Sequence, residues 1–201
     1  MSMTTLKVNK KLFKSWYEVK TTHQDVLYKY QRSPEHINED VLLPVAGGLD
    51  AWKVTTSTNL AHALVTNHHR SHQVAVTFEF ELFRSVFDFE KDRFFWILEP
   101  DDTARLYKNR KERVASLHAS YHTSISGSEL EVASGLGPAL QAVVICSGLK
   151  TLQLMENQGR TFSELRRRLK SQEQLREDAL TEGTMMASAS SNLAGSLTFL
   201  I

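Results

Sequence analysis

One stretch limits the fold more than any other: residues 138–155 read as a helix with no polar side. Gly135 and Gly137 precede it, and Pro138 suits a first helical turn, where its missing N–H is not needed. At about 100° per residue, Leu140, Val143, Val144, Ile145, Leu149, Leu152 and Met155 spread over most of the circumference. Ala142 and Cys146 cover much of the remainder, and Gln141 and Ser147 are the only polar interruptions before Lys150. A helix that is apolar all round must be surrounded. Fully burying each larger aliphatic side chain is worth roughly 1.5–3 kcal/mol, and a sheet packed on one side would collect only part of it. Three enclosures qualify: lipid, a helical bundle or a closed β-barrel. The greasiest run, Pro138 to Leu149, is about half of the ~20 residues a bilayer crossing needs, so no transmembrane segment is expected.

The rest of the chain is strand-like, which disfavours a bundle. "VLYKYQ", "AWKVTTS", "LAHALVT", "QVAVTFEFELF", "RFFWILE", "ARLYK", "RVASLHA" and "ELEVAS" each alternate or form short apolar runs. In 73–83 the alternation puts Val74, Val76, Phe78, Phe80 and Leu82 on one face. Gly47-Gly48, Asn67-His68, Lys91-Asp92, Pro100-Asp101-Asp102, Asn109 and Ser126-Gly127 punctuate these runs as turns. The charges of 101–120 also permit a helix there. About eight to eleven strands are expected. Eight fill a barrel with their own side chains, and about eleven leave room for a central helix. The expected class is therefore mainly β with α: an antiparallel closed β-barrel around a hydrophobic C-terminal helix, plus an extra C-terminal helix. The alternative is a pleckstrin-homology-like sheet capped by helix 138–155. The organisation reads as a lysine and aromatic segment over 1–20, a barrel over 21–158 with its helix at about 138–156, a charged amphipathic helix over 159–182, and a Ser/Ala-rich apolar tail over 183–201.

"WKVTTS", the strand pair "VFDFEKDRFFWILEPDDTARLYKNRKERVASLHA" and "ISGSELEVASG" leading into "ALQAVVICSGLKTLQLMEN" together resemble small fungal proteins of the tubby C-terminal-like superfamily. That superfamily includes LURP-one-related and phospholipid-scramblase-type barrels. The resemblance covers Val26 to Asn157 and implies about a dozen strands around a late hydrophobic helix. The phosphoinositide-binding lysine and arginine pattern of tubby proteins is not found, so that activity does not transfer.

Catalytic signatures are weak. "GLGPAL" has Leu140 where a dinucleotide fingerprint needs its third glycine, and the chain is not built of βαβ units. Asp101-Asp102 follows Pro100 and reads as turn chemistry. Cys146 is the only cysteine; it has no basic sequence neighbour and reads as a core residue. It also excludes an internal disulfide and points to a reducing, cytoplasmic setting. His68, His69 and His72, with His62 nearby, and the pair His118 and His122 lie in turn or strand settings without a completing carboxylate set, so no metal and no cofactor is expected. A net charge of +1 argues against a nucleic-acid binder.

Two binding surfaces remain. Residues 1–20 carry five lysines against Glu18. Lys7, Lys10, Lys11 and Lys14, with Phe13 and Trp16 as interfacial anchors, suit an anionic phospholipid surface. The other reading of this segment is a strand or arm with solvated lysines. In 160–182, a Thr161-x-x-Glu164 capping box precedes Leu165 and Leu169, spaced to anchor a protein partner beside Arg166 and Arg167. The functional expectation is a non-enzymatic intracellular binding module, peripherally associated with anionic lipid. The alternatives are a protein-interaction adaptor using the 160–182 helix and a pleckstrin-homology-like domain of unassigned ligand.

Overall fold

The computed structural model describes residues 2–10, 16–33, 36, 38–45, 50–67, 69, 71–118, 128–159 and 162–174. The chain forms two compact units, Met1–Phe162 and Ser163–Ile201. In the first unit the described residues form twelve antiparallel strands. They are β1 (Met3–Lys10), β2 (Trp16–Thr21), β3 (Val26–Arg32), β4 (Glu39–Pro44), β5 (Trp52–Thr56) and β6 (His62–Asn67). The series continues with β7 (Gln73–Glu79), β8 (Arg84–Phe89), β9 (Asp92–Glu99), β10 (Thr103–Lys108), β11 (Glu112–His118) and β12 (Ser128–Ala133). Each strand pairs with its sequence neighbours. β1 then pairs with β12, from Met3 opposite Ala133 to Val8 opposite Ser128, and closes the barrel. Closure leaves no open sheet edge.

Helix α1 (Pro138–Asn157) fills the barrel. Every residue from Ala142 to Leu152 is buried, which is three full turns and therefore every side of the helix. The opposing inner rows are apolar: Leu6 and Val8, Tyr28 and Tyr30, Val54, Val65, Val76, Phe87, Phe94, Trp96, Leu106, Leu117 and Leu130 are all essentially inaccessible. By length and composition alone Pro138–Met155 would suffice to cross a membrane. Strands, not lipid, surround it. A pleckstrin-homology-like sheet with the helix across one end is thereby overturned.

Polar contacts set the depth and rotation of α1. The Trp96 indole N–H donates to Ser147 Oγ at 2.9 Å. Thr151 Oγ1 donates to the Ser147 carbonyl at 2.6 Å, which leaves it to accept from Ser85 Oγ, also at 2.6 Å. Lys150 Nζ lies 2.5 Å from Asp40 Oδ2, and Tyr30 donates to the same oxygen at 3.2 Å. Gly148 lies under Trp96: a Cβ there would sit 2.7 Å from the ring carbon Cζ2. These partners come from β4, β8 and β9, so α1 is tied to the wall on separated sides.

The wall starts earlier than the sequence suggested. Residues 3–10 and 16–21 are β1 and β2, with Leu6, Val8 and Val19 on the inner row, so these parts of the lysine-bearing segment set apart at 1–20 belong to the barrel. Lys7 and Lys20 lie on its outer side. β4 and β8 also fall outside the eight runs singled out by alternation. The 101–120 segment contains β10 and β11, not a helix. The five-residue row expected in 73–83 ends at Phe78, because Phe80–Leu82 form a 3₁₀ turn at the rim. Phe83 then adopts φ 50° and is buried, while Leu82 is exposed. Residues 162–174 form helix α2, which belongs to the second unit from Ser163 onward. Gly159, where the helix was expected to begin, is a turn residue at φ 67°, and residues 160–161, 175–182 and the 183–201 tail lie outside the described residues.

Gly148→Ala should lower unfolding stability by roughly 1–3 kcal/mol in urea titrations, since Trp96 must move and its bond to Ser147 with it. Lys150→Met alone strands the buried Asp40 carboxylate and should cost about 3–5 kcal/mol, whereas Asp40→Leu with Lys150→Met should recover most of that loss. Equal stabilities for the single and double variants would contradict the ion-pair reading.

Candidate binding surface

The barrel interior is taken by α1, so ligand chemistry is sought on the outside and at the rims. β1 and β2 place the membrane candidates. Lys7 points outward and stands 3.9 Å from Glu129 on β12, with both side chains about half exposed, so its charge is only loosely offset. Lys20 pairs with Glu18 at 3.1 Å on the outer wall and is less accessible than Lys7. Lys10 ends β1 and Trp16 begins β2, at the rim where β4 and β8 also begin and where α1 leaves the barrel. The connection between them contains Lys11, Phe13 and Lys14, which lie outside the described residues.

At the same rim, across the barrel, the turns after β7 and β9 carry Glu81, Asp101 and Asp102. Asp101 is bound by Arg105, which reaches it at 2.5 Å and also bonds Glu99. The Arg105 hydrogen bond holds the Asp101 carboxyl below its ordinary range. Asp102 occupies a left-handed turn position at φ 61°. The two carboxylates therefore serve a turn and an ion pair, not an acid–base pair.

Cys146 is fully buried, and burial followed by the Asp40 charge raises its thiol far above the ordinary value, which removes it as a nucleophile. Burial, then Asp40, likewise keeps the Tyr30 hydroxyl protonated as a donor. His62 contacts Thr77 at 3.3 Å and His118 contacts Thr103 at 3.1 Å. His68 and His122 lie outside the described residues. Among the described residues no three His, Cys, Asp or Glu side chains converge on a cation position. Gly135, at φ 130°, and Gly137, whose carbonyl accepts from the Gln141 N–H at 2.9 Å, turn the chain from wall to interior. That turn accounts for "GLGPAL".

A groove of about 400 Å³ crosses the outer wall over β4 and β5. Val41, Leu43 and Ala51 form its apolar part, and Lys53, paired to Glu39 at 2.7 Å, its polar part. Sequence reading missed it because Val41 and Leu43 look like core residues until the register turns them outward.

In α2, Leu169 is exposed, whereas Arg167 is held by Glu164 through bonds of 2.8 and 3.0 Å. Arg168 shares the same carboxylate at 3.0 Å. Of the proposed partner-binding residues, Leu169 is accessible, Arg167 is committed within its own helix, and Leu165 and Arg166 are half-buried. Thr161 lies outside the described residues.

The bonds from Arg167 and Arg168 pull the Glu164 carboxyl down to about 2 from 4.5. A depressed carboxylate stabilises above its unfolded value and loses that contribution as pH falls through the folded one. Side-chain carboxyl NMR should therefore show Glu164 still ionised at pH 3.5 and protonating near pH 2. A midpoint near that of a free glutamate would show that the pairs do not persist in solution.

No family model matches the sequence, and no curated protein matches it. A structural likeness exists to the X-ray structure of protein AT5G01750 from Arabidopsis thaliana, at 11% identity, covering 75% of this chain and 91% of that one with a TM-score of 0.44.

Proposed function

We propose that the protein is a non-enzymatic binding module that associates peripherally with anionic membrane surfaces through the connection between β1 and β2. The observation that supports this reading is the location of the stretch "KKLFKSW", residues 10–16, between two strands that are each hydrogen-bonded on both sides. The stretch carries Lys10, Lys11 and Lys14 with Leu12, Phe13 and Trp16, and no acid. Each lysine near an anionic leaflet contributes about 1 kcal/mol, and aromatic side chains add interfacial burial. A connection tied at both ends has less conformational freedom to lose on binding than a free arm. Glu81, Asp101 and Asp102 across the rim favour contact on the β1–β2 side over an end-on approach.

The motifs between Trp52 and Asn157, together with a closed barrel around a buried helix, also support placing the chain with the tubby C-terminal-like superfamily, near its LURP-one-related members. A cytoplasmic, peripherally membrane-bound location is consistent with the single buried cysteine. A second reading, a protein-interaction adaptor, is favoured by exposed Leu169 on α2.

Vesicle co-sedimentation of the full chain tests the first reading. It should bind phosphatidylserine-containing vesicles, release as salt rises, and ignore pure phosphatidylcholine. Lys10, Lys11 and Lys14 changed together to Glu should abolish binding, while Lys7→Glu should weaken it less because Glu129 already faces Lys7. Equal partitioning onto neutral vesicles, or binding unaltered in the triple variant, would end it.

A further inference from the structure

At the opposite rim, where α1 enters, a small cavity of about 170 Å³ lies between the β6–β7 connection and the end of β8. One side is aromatic. Phe89, the last inward residue of β8, lies parallel to the His72 imidazole, with centroids 6.0 Å and planes 8° apart. The Trp52 indole stands 6.2 Å from the same imidazole. The other side is anionic, lined by Asp88 and Glu90. Buried Asn67 holds the aromatic side in place. Its amide donates to Ser71 Oγ at 2.6 Å, that hydroxyl lies 3.3 Å from His72 Nδ1, and the His72 backbone N–H bonds Asn67 Oδ1 at 3.3 Å.

Ring faces carry negative potential and attract cations, and two carboxylates opposite them act in the same sense. An anion would be repelled from both sides. A neutral ligand with no hydrogen-bond donor would take water from the carboxylates and return nothing. Arg93 stands 3.4 Å from Asp88 and 5.9 Å from the outer Phe95 ring. Both side chains of that ion pair are more than half exposed, so it offsets the Asp88 charge only in part and Glu90 carries the rest of the negative field. Among the described residues no lysine or arginine lines the cavity. Its volume is about six water molecules' share, enough for an ammonium head with a few carbons.

We propose that this cavity binds a small organic ammonium ion, with the cation against His72 and Phe89 and its charge facing Asp88 and Glu90. The site is independent of the membrane reading and lies at the other rim.

Choline and n-butylammonium are the probes, titrated into the ¹⁵N-labelled full chain. 3,3-Dimethylbutan-1-ol, the uncharged carbon isostere of choline, is the control. A saturable shift of the Ser71–Val74 and Asp88–Glu90 amide resonances is expected with at least one cation and not with the isostere. The stronger cation tells whether the head is quaternary or primary. Phe89→Leu keeps the apolar volume and removes the ring, and Glu90→Gln removes one exposed charge. Each should weaken binding by several-fold to about tenfold. No saturable shift with either cation, equal shifts with the isostere, or unchanged affinity in Glu90→Gln would overturn the proposal, and Glu90→Gln decides alone if Phe89→Leu does not fold.

Discussion

Everything in the barrel depends on a helix that cannot face water on any side. Eleven consecutive buried residues, Ala142 to Leu152, demand an enclosure, and twelve strands closed on themselves provide it. Wall and helix are incomplete apart. Without α1 the inner rows of Trp96, Phe87, Leu106 and Tyr30 would surround a void, and without the wall Val143, Val144, Ile145 and Leu149 would lose their burial.

Apolar enclosure alone would let such a helix slide and rotate, because burial is non-directional. Directional contacts remove that freedom. Ser147 meets Trp96, Thr151 meets Ser85, and Lys150 meets Asp40, while Gly148 admits the indole closely enough to define one face. The few polar side chains of α1 thus act as register pins. The buried Lys150–Asp40 pair is costly to desolvate and adds little net stability. Its contribution is to penalise every arrangement in which Lys150 points elsewhere.

The enclosure was legible in the sequence because hydrophobicity around a full helical turn has few physical solutions. The clearest strands were legible from alternation: β3, β5, β6, β9 and β12 lie close to where their patterns put them. β1 and β2 were not, because lysines on the outer row of Lys7 and Lys20 hide an inner row of Leu6, Val8 and Val19. The rim turn at Phe80–Leu82 was lost because the apolar alternation runs on through it while the backbone reverses. The groove beside Leu43 and the cavity beside His72 were invisible for a different reason. Each joins residues from separate strands, and only register brings Asp88 and Phe89 next to His72.

Filling the interior also shapes what the protein can do. A carrier barrel keeps its lumen for a ligand, whereas here α1 holds that volume and leaves connections, rims and the outer wall as the accessible surfaces. Native-state hydrogen exchange tests this enclosure directly. The amides of Ala142–Leu152 should exchange only by global unfolding, with the same free energy as the central residues of β9 and β10. Exchange of α1 at lower free energy, while those strands stay protected, would mean that the helix leaves a wall that survives without it, and the central claim would be wrong.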